Sequence, residues 1–406
     1  MLILFLYKGD GTVRVWIYDH YDVIAAENEN NLWGTDPFNM TGRNGYLYGR
    51  GTSDNKGPIL ASIFAVNELL KEGLLDVNAI FLIESEEESG RVGFYEAVIL
   101  LLCPLMYVYI CVYSNSYWLG EDVPCITYGL RGVIHATVSI SNKRADLHSG
   151  IEGGAVSEPL IDLIHVLGKL VDNNKKVLIP GFYDNVSPMT EAEEKLYDPI
   201  VEWTQTSETA RSNKLKQQLM ARWRYSTLTV HKIDVSINNP TLIPRNAKAA
   251  VSMRVAPDQA ITDICAQFEQ YVKNVFAQCN SDNRISITIE SAAEYWLGDL
   301  KSKYFKAVAN AIADEWNMKL LYIREGGSIP AVRWLDPYGA RSIGSVSNPN
   351  TAYRRLNSIL TQNNVCKELR ANRYFGKPHV TRRRKNIERN RKLFGAMIGK
   401  KAALIK

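Results

Sequence analysis

Histidine is scarce in this chain of 406 residues: there are six, and none lies between His231 and His379. An imidazole-rich metal centre could therefore draw on only a few positions. Cysteine is equally sparse. Cys103, Cys111, Cys125, Cys265, Cys279 and Cys366 form no CxxC pair and no regular framework. That excludes a disulfide scaffold and suits a reducing, cytoplasmic compartment. Long hydrophobic runs are missing too. The apolar stretch 97–113 has 17 residues and contains Pro104, short of the roughly 20 that a bilayer requires. It reads as a helix end followed by a buried strand, not as a membrane span. Acidic residues all but vanish after position 340: residues 341–406 hold 17 Lys or Arg against Glu368 and Glu388. The body, 1–340, holds 31 basic and 41 acidic residues, a net of −10 against +15 for the tail. Such asymmetry assigns a nucleic-acid partner to the tail and none to the body.

What is present alternates in kind. Residues 13–18 predict a buried strand, 59–70 a helix with Ile59, Ile63, Val66 and Leu70 on one face, and 78–83 a second strand. Helices alternating with apolar strands predict a mostly parallel α/β sheet, with polar residues gathered at the carboxyl ends of its strands. From Gly132 the texture becomes α+β. Strands are predicted at 133–140, 227–235 and 249–255, and helices at 159–171 and 262–276. The chain is expected to re-enter the first domain near Ser286, before a helix at 304–316. The resulting division is 1–131 and 286–340 for one domain, 132–285 for the insertion, and 341–406 for the tail.

Three clusters of carboxylate or imidazole are expected at the ends of apolar strands. They are His20 with Asp22, Asp54 within GRGTSDNKG (49–57), and the adjacent Glu87 and Glu88. Zinc takes imidazole and carboxylate ligands, and a catalytic zinc keeps one position for water. A carboxylate spanning two metals, plus a free one to take a proton, is a workable hydrolase arrangement. An Asp two residues after a His can orient its ring.

The runs YDHYDV (18–23), GRGTSDNKGP (49–58), EESG (87–90), SNSYW (114–118), YGLRG (128–132), DLHSG (146–150) and REGGSIP (324–330) resemble, in order and spacing, the M20 zinc metallopeptidases of the carnosine dipeptidase kind. That resemblance implies an exopeptidase-like α/β catalytic domain, truncated at its amino end, with an inserted α+β lid that forms a homodimer. It implies a two-zinc centre held by His20, Asp54 as the bridge, Glu88 and the residue at Asn115. Glu87 would be the general base, with Asp22 behind His20. His148, Arg254 and Ser328 match substrate-binding positions, His148 serving the partner subunit's site. SNS (114–116), EYWLGD (294–299) and RWRY (222–225) look like the peptidase-like subunit of the fungal glutathione-degrading complex. That subunit works with an amidotransferase partner and carries WD repeats ahead of its peptidase domain. GDGTVRVW (9–16) is similar to the end of a WD blade, the alternative being a plain strand after a turn.

Two ligands depart from the pattern. Asn115 stands where the family has an Asp, and no histidine follows Ser328 in the body. Each metal then keeps two protein ligands, fewer than the three of a catalytic zinc. A metallopeptidase-like hydrolase of small peptide or amide bonds, impaired in metal binding, is the expected reading. The alternatives are a non-catalytic subunit of an amidotransferase complex, or an RNA-binding component of the mitochondrial small ribosomal subunit. The last rests on the tail, where AYRRLNSIL (352–360) and RYFGKP (373–378) resemble bacterial-type ribosomal protein S21. This implies basic helices on ribosomal RNA, with Arg382, Arg383, Arg384, Lys385, Arg389, Arg391 and Lys392 on phosphates.

Overall fold

The computed structural model describes residues 3–9, 14–26, 33–90, 93–94, 110–113, 118–120, 123–204, 209–236, 239–335 and 342–344. They fall in two compact units, one with its described residues inside Met1–Phe94 and the other spanning Tyr95–Val346. Asn115 and nearly all of the basic tail, with every residue named there for RNA, lie outside the described residues.

The first unit contains β1 (Ile3–Tyr7), β2 (Arg14–His20), the hairpin β3 (Thr41–Arg43) and β4 (Tyr46–Tyr48), and β5 (Asn78–Glu84). β5 runs parallel to β2 and antiparallel to β1. The segment weighed above as a blade remnant thus supplies the start of β2. Residues 79–84 are buried without interruption, as befits a strand covered on both faces. Ile17, Ala79, Phe81 and Ile83 pack with Ile59 and Val66 of the helix Lys56–Lys71. Each of the isoleucine, valine and phenylalanine side chains contributes about 1.5–3 kcal/mol by leaving water. The hairpin turns on Asn44 and Gly45, both with positive φ (52° and 83°), the geometry that matches strand twist.

The second unit contains β6 (Ile110–Tyr113), β7 (Cys125–Leu130), β8 (Gly132–Ser141), β9 (Leu147–His148), β10 (Thr227–Val235), β11 (Leu242–Ile243), β12 (Asn246–Val255), β13 (Arg284–Ala293), β14 (Trp296–Leu297), β15 (Leu321–Glu325) and β16 (Ser342–Gly344). β7 pairs in parallel with β15 and antiparallel with β14, while β6 pairs in parallel with β16. An antiparallel sheet has the order β10-β12-β8-β13. On β8, Ile134, Ala136, Val138 and Ile140 are buried while His135, Thr137 and Ser139 turn to the other face, the two-residue period of a half-covered strand. Leu163 and Val166 of the helix Pro159–Leu167, with Ile264, Phe268, Val272 and Val275 of the helix Ile261–Ala277, close that core.

Two sequence expectations shift. The helix expected over 159–171 stops at Leu167, because Gly168 caps it and Val171 turns to bridge Val177. The expected return near Ser286 is not where the sheet ends: β13 pairs with β8 from Arg284 to Ala293. Apolar alternation there could not distinguish an inserted strand from a core one. At the junction of β7 and β8, a Cβ on Gly132 would lie 2.5 Å from Val255 Cγ2, 2.8 Å from the Ala293 oxygen and 2.9 Å from the Tyr295 nitrogen. Only glycine fits there.

Candidate active site

β2 and β5 are parallel neighbours in register, His20 beside Glu84. Their carboxyl ends therefore present His20 and Asp22 next to the turn that carries Glu87 and Glu88. Asp54 precedes the helix Lys56–Lys71, whose amino end favours a carboxylate. The Asp54–Asn55 peptide bond is cis. Asn55 Nδ2 donates to Asp19 Oδ1 at 2.8 Å in the buried floor, and the Tyr18 hydroxyl donates to Glu84. At Gly57 a Cβ would approach the Thr52 oxygen to 2.1 Å, so the loop closes on the helix only with glycine.

The groups converge. His20 Nε2 lies 2.9 Å from Asp54 Oδ1, and Nδ1 lies 3.4 Å from Asp22 Oδ1. Asp22 Oδ2 accepts the Glu88 backbone N–H at 2.9 Å, which ties the β2 end to the β5 turn. His20 is fully buried, whereas the Asp54 side chain is 38% exposed. Burial opposes charge on His20. The hydrogen bond to Asp54 and the carboxylates of Glu87, Asp54 and Asp22 outweigh it and raise the imidazole to about 9. Burial, then the charges of Glu87 and Asp54, push the Glu88 carboxyl up. Four carboxylates surround one imidazole, so the cluster favours a cation.

The donor chemistry fits zinc: imidazole and carboxylates, with His20 Nδ1 and Asp22 Oδ1 buried and lacking a hydrogen-bond partner. The spacing differs from a formed metal cage. His20 and Asp54 bond directly, and no group of three or more His, Cys, Asp or Glu among the described residues is placed to hold an ion.

The sequence-expected substrate residues lie in the second unit. Arg254 Nη1 donates to Ser328 Oγ at 2.8 Å, and Ser328 donates to the Arg131 carbonyl. His148 is exposed and accepts the Gly150 N–H at Nδ1, 3.1 Å away. Sequence reading missed Arg131. Its Nε donates to the Gly326 oxygen at 3.0 Å and its Nη1 to the Tyr225 oxygen at 2.8 Å, so it fastens the loop that bears Ser328. Burial and then Arg254 lower its pKa to about 10.

A carboxylate–imidazole cluster at the carboxyl ends of parallel strands is what a metal-dependent hydrolase requires. The sequence agrees: residues 16–333 match the model of peptidase family M20/M25/M40, and the chain belongs to that family. It is 34% identical over 336 residues to a probable di- and tripeptidase, DUG2, of Saccharomyces cerevisiae, covering 81% of this chain but 37% of that relative. It is 36% identical over 329 residues to the Cys-Gly metallodipeptidase DUG1 of Candida albicans, covering 78% of this chain and 68% of that one. The chain thus spans little more than a third of one curated relative and about two thirds of the other. Among solved structures, the S. cerevisiae di-peptidase Dug1p aligns with a TM-score of 0.74 at 31% identity, over 84% of this chain and 74% of that one. Human carnosine dipeptidase 1 aligns with a TM-score of 0.71 at 29% identity, over 87% and 80%. Residues 347–394 match the model of ribosomal protein S21. Among the described residues no helix is long and apolar enough to cross a membrane.

Proposed function

We propose that the chain is a metal-dependent hydrolase of dipeptide-sized peptide or amide bonds, of the kind released in glutathione breakdown, and that its metal centre is short of ligands. The observation that carries this is the convergence of Asp22, Asp54, Glu87 and Glu88 on the buried His20. His20, Asp54 and Glu88, with Asn115, would hold zinc; the ion, when bound, polarises a carbonyl and acidifies a water. Asp22, 3.4 Å from His20 Nδ1 and anchored by the Glu88 N–H, stands where it would orient the ring once the metal draws on Nε2. Glu87 takes the proton of the attacking water. Arg254 and Ser328, bonded to each other, match the family's substrate-binding positions, and Ser328 is held in turn by the Arg131 carbonyl.

Asn115 offers a neutral amide oxygen, and no histidine stands between Ser328 and His379. Dialysed protein is therefore expected to retain fewer than two zinc ions per chain. Elemental analysis finding two tightly held zincs would refute the ligand shortage. Hydrolysis of Cys-Gly by the zinc-loaded chain tests the activity itself. No turnover and no zinc would leave the role of non-catalytic partner to an amidotransferase subunit.

The inserted sheet is proposed to pair two copies, with His148 serving the neighbour's site. In support, the edge strand β10 exposes Val230, Ile233 and Val235. Light scattering on the full chain should report a dimer.

A second reading rests on the charge of the tail. With +15 over residues 341–406, the tail is proposed to bind structured RNA. Affinity should fall with salt at a log–log slope of roughly −0.7 per phosphate contact on single strands, so about six contacts lose over a hundredfold between about 50 and 300 mM. A flat salt dependence would remove this reading.

A further inference from the structure

Away from the carboxylate cluster, the second unit buries another set of charges. Arg324, at the end of β15, is 2% exposed, and its Nη1 meets Glu193 Oε1 at 2.5 Å. Arg224 Nε lies 3.3 Å from both Glu193 oxygens, and its Nη2 donates to the Ser187 carbonyl at 2.7 Å. Glu193 is thus shared by two guanidiniums, and the trio has a net charge of +1. The Arg324 guanidinium lies over the Tyr128 ring, 5.8 Å from its centroid.

Four donors here lack an acceptor among the described residues: Arg324 Nε and Nη2, and the hydroxyls of Tyr128 and Tyr197. Their residues are 2%, 4% and 1% exposed, so bulk water does not serve them. Leaving such groups without partners costs about 1–3 kcal/mol each, more for a charged one, and native proteins rarely carry several together. The Arg324 side chain packs directly on Gly129, where a Cβ would stand 2.9 Å from Nε and push the guanidinium aside. The phenols cannot neutralise the excess charge themselves. Burial pushes both upward, Tyr197 to about 12, so they remain protonated donors. The Tyr128–Tyr197 interaction, and those of both with Arg324, Arg224 and Glu193, put the five groups in one electrostatic neighbourhood.

We propose that the second unit encloses a site for one small monovalent anion of the halide class, beside the Arg324 guanidinium and the Tyr128 and Tyr197 hydroxyls. An anion accepts from all of these donors and cancels the +1 of the trio. A water molecule accepts about two hydrogen bonds and leaves the charge uncompensated. Burial of all the donors favours a small, readily desolvated ion over a more strongly hydrated carboxylate or phosphate. Occupancy fixes the end of β15, and with it the loop that carries Ser328. This inference does not depend on the chain being a peptidase.

The test uses the full chain. Thermal unfolding is followed in sodium chloride, sodium bromide and sodium gluconate at constant ionic strength, for the wild type and for Tyr197→Phe and Tyr128→Phe. Each variant removes one donor and keeps the ring. Chloride and bromide should raise the wild-type Tm by about 2–4 °C over gluconate for a unit of this size, and the variants should lose most of that rise. Crystals soaked in bromide should show an anomalous peak beside Arg324. Equal melts in all three salts, a halide effect unchanged in both variants, or no peak beside Arg324 would each overturn the proposal and leave water as the occupant.

Discussion

The two units each contain a charged cluster, and the clusters are opposite in sign and in access. In the first unit, one imidazole faces four carboxylates, and the carboxylate side is open: Asp54 is 38% exposed while His20 is sealed. In the second, two guanidiniums share one carboxylate, and all three side chains are 17% exposed or less. Excess charge open to solvent can exchange a ligand, as turnover demands. The same excess closed off can only be neutralised once and kept.

Substitutions sharpen that contrast. The largest effect should come from Glu87→Gln, which removes the proton acceptor and should lower turnover of a dipeptide by about 10²–10⁴-fold with little change in the unfolding midpoint. A comparable loss of stability would assign Glu87 to the scaffold instead. Next, Glu193→Gln strands two buried arginines and should cost about 3–5 kcal/mol in denaturant unfolding. A cost below about 1 kcal/mol would mean the closed cluster is wet.

A titratable imidazole, His135 on the open face of the four-stranded sheet, gives a smaller effect. Burial, then Arg254 and His231, lower the His135 pKa below 6.5. The unfolded chain therefore binds the proton more readily. Stability is complete above about pH 6.5 and is lost as the pH falls through the folded value. Because the ring is exposed, about half a kcal/mol is expected between pH 7.5 and 5. His135→Asn should remove that part of the pH dependence in thermal melts. The smallest effect should be Glu88→Gln in chelator-treated protein. Relief of repulsion from Glu87 and Asp54 should raise the midpoint by a few tenths of a kcal/mol at this exposed position, whereas a fall would show Glu88 to be a structural anchor.

The open cluster was legible in the sequence because each part is local. His20 and Asp22 end one strand, Glu87 and Glu88 follow another, and Asp54 opens a helix, so strand ends and motif spacing were enough. Several strands and helices were read from periodicity, which erred where apolar alternation has two meanings, as at Ser286, and where apolar residues continue past a helix end, as from Gly168 to Val171. The closed cluster left no such trace. Glu193 is 31 residues from Arg224 and 131 from Arg324, and it sits in the short acidic helix Glu191–Glu194. With Thr190 bonding the Glu193 N–H, its spacing reads as a capping pair. The side chain turns to the arginines instead, which only packing against β15 reveals. Arg131 escaped for the same reason, since its partners are carbonyls at Tyr225 and Gly326, and main-chain acceptors have no sequence signature.

Gly132 has a consequence for how this architecture could arise. The chain enters the four-stranded sheet at that residue and leaves it after Ala293, whose carbonyl and the nearby Tyr295 nitrogen would lie within 3 Å of a Cβ at Gly132. Entry and exit share one doorway. Ends that meet in this way let the far loops of the inserted sheet lengthen or shorten without stretching the strands on either side, while Tyr197, Leu219 and Trp223 within the segment stay packed on Cys125 and Ile323 outside it.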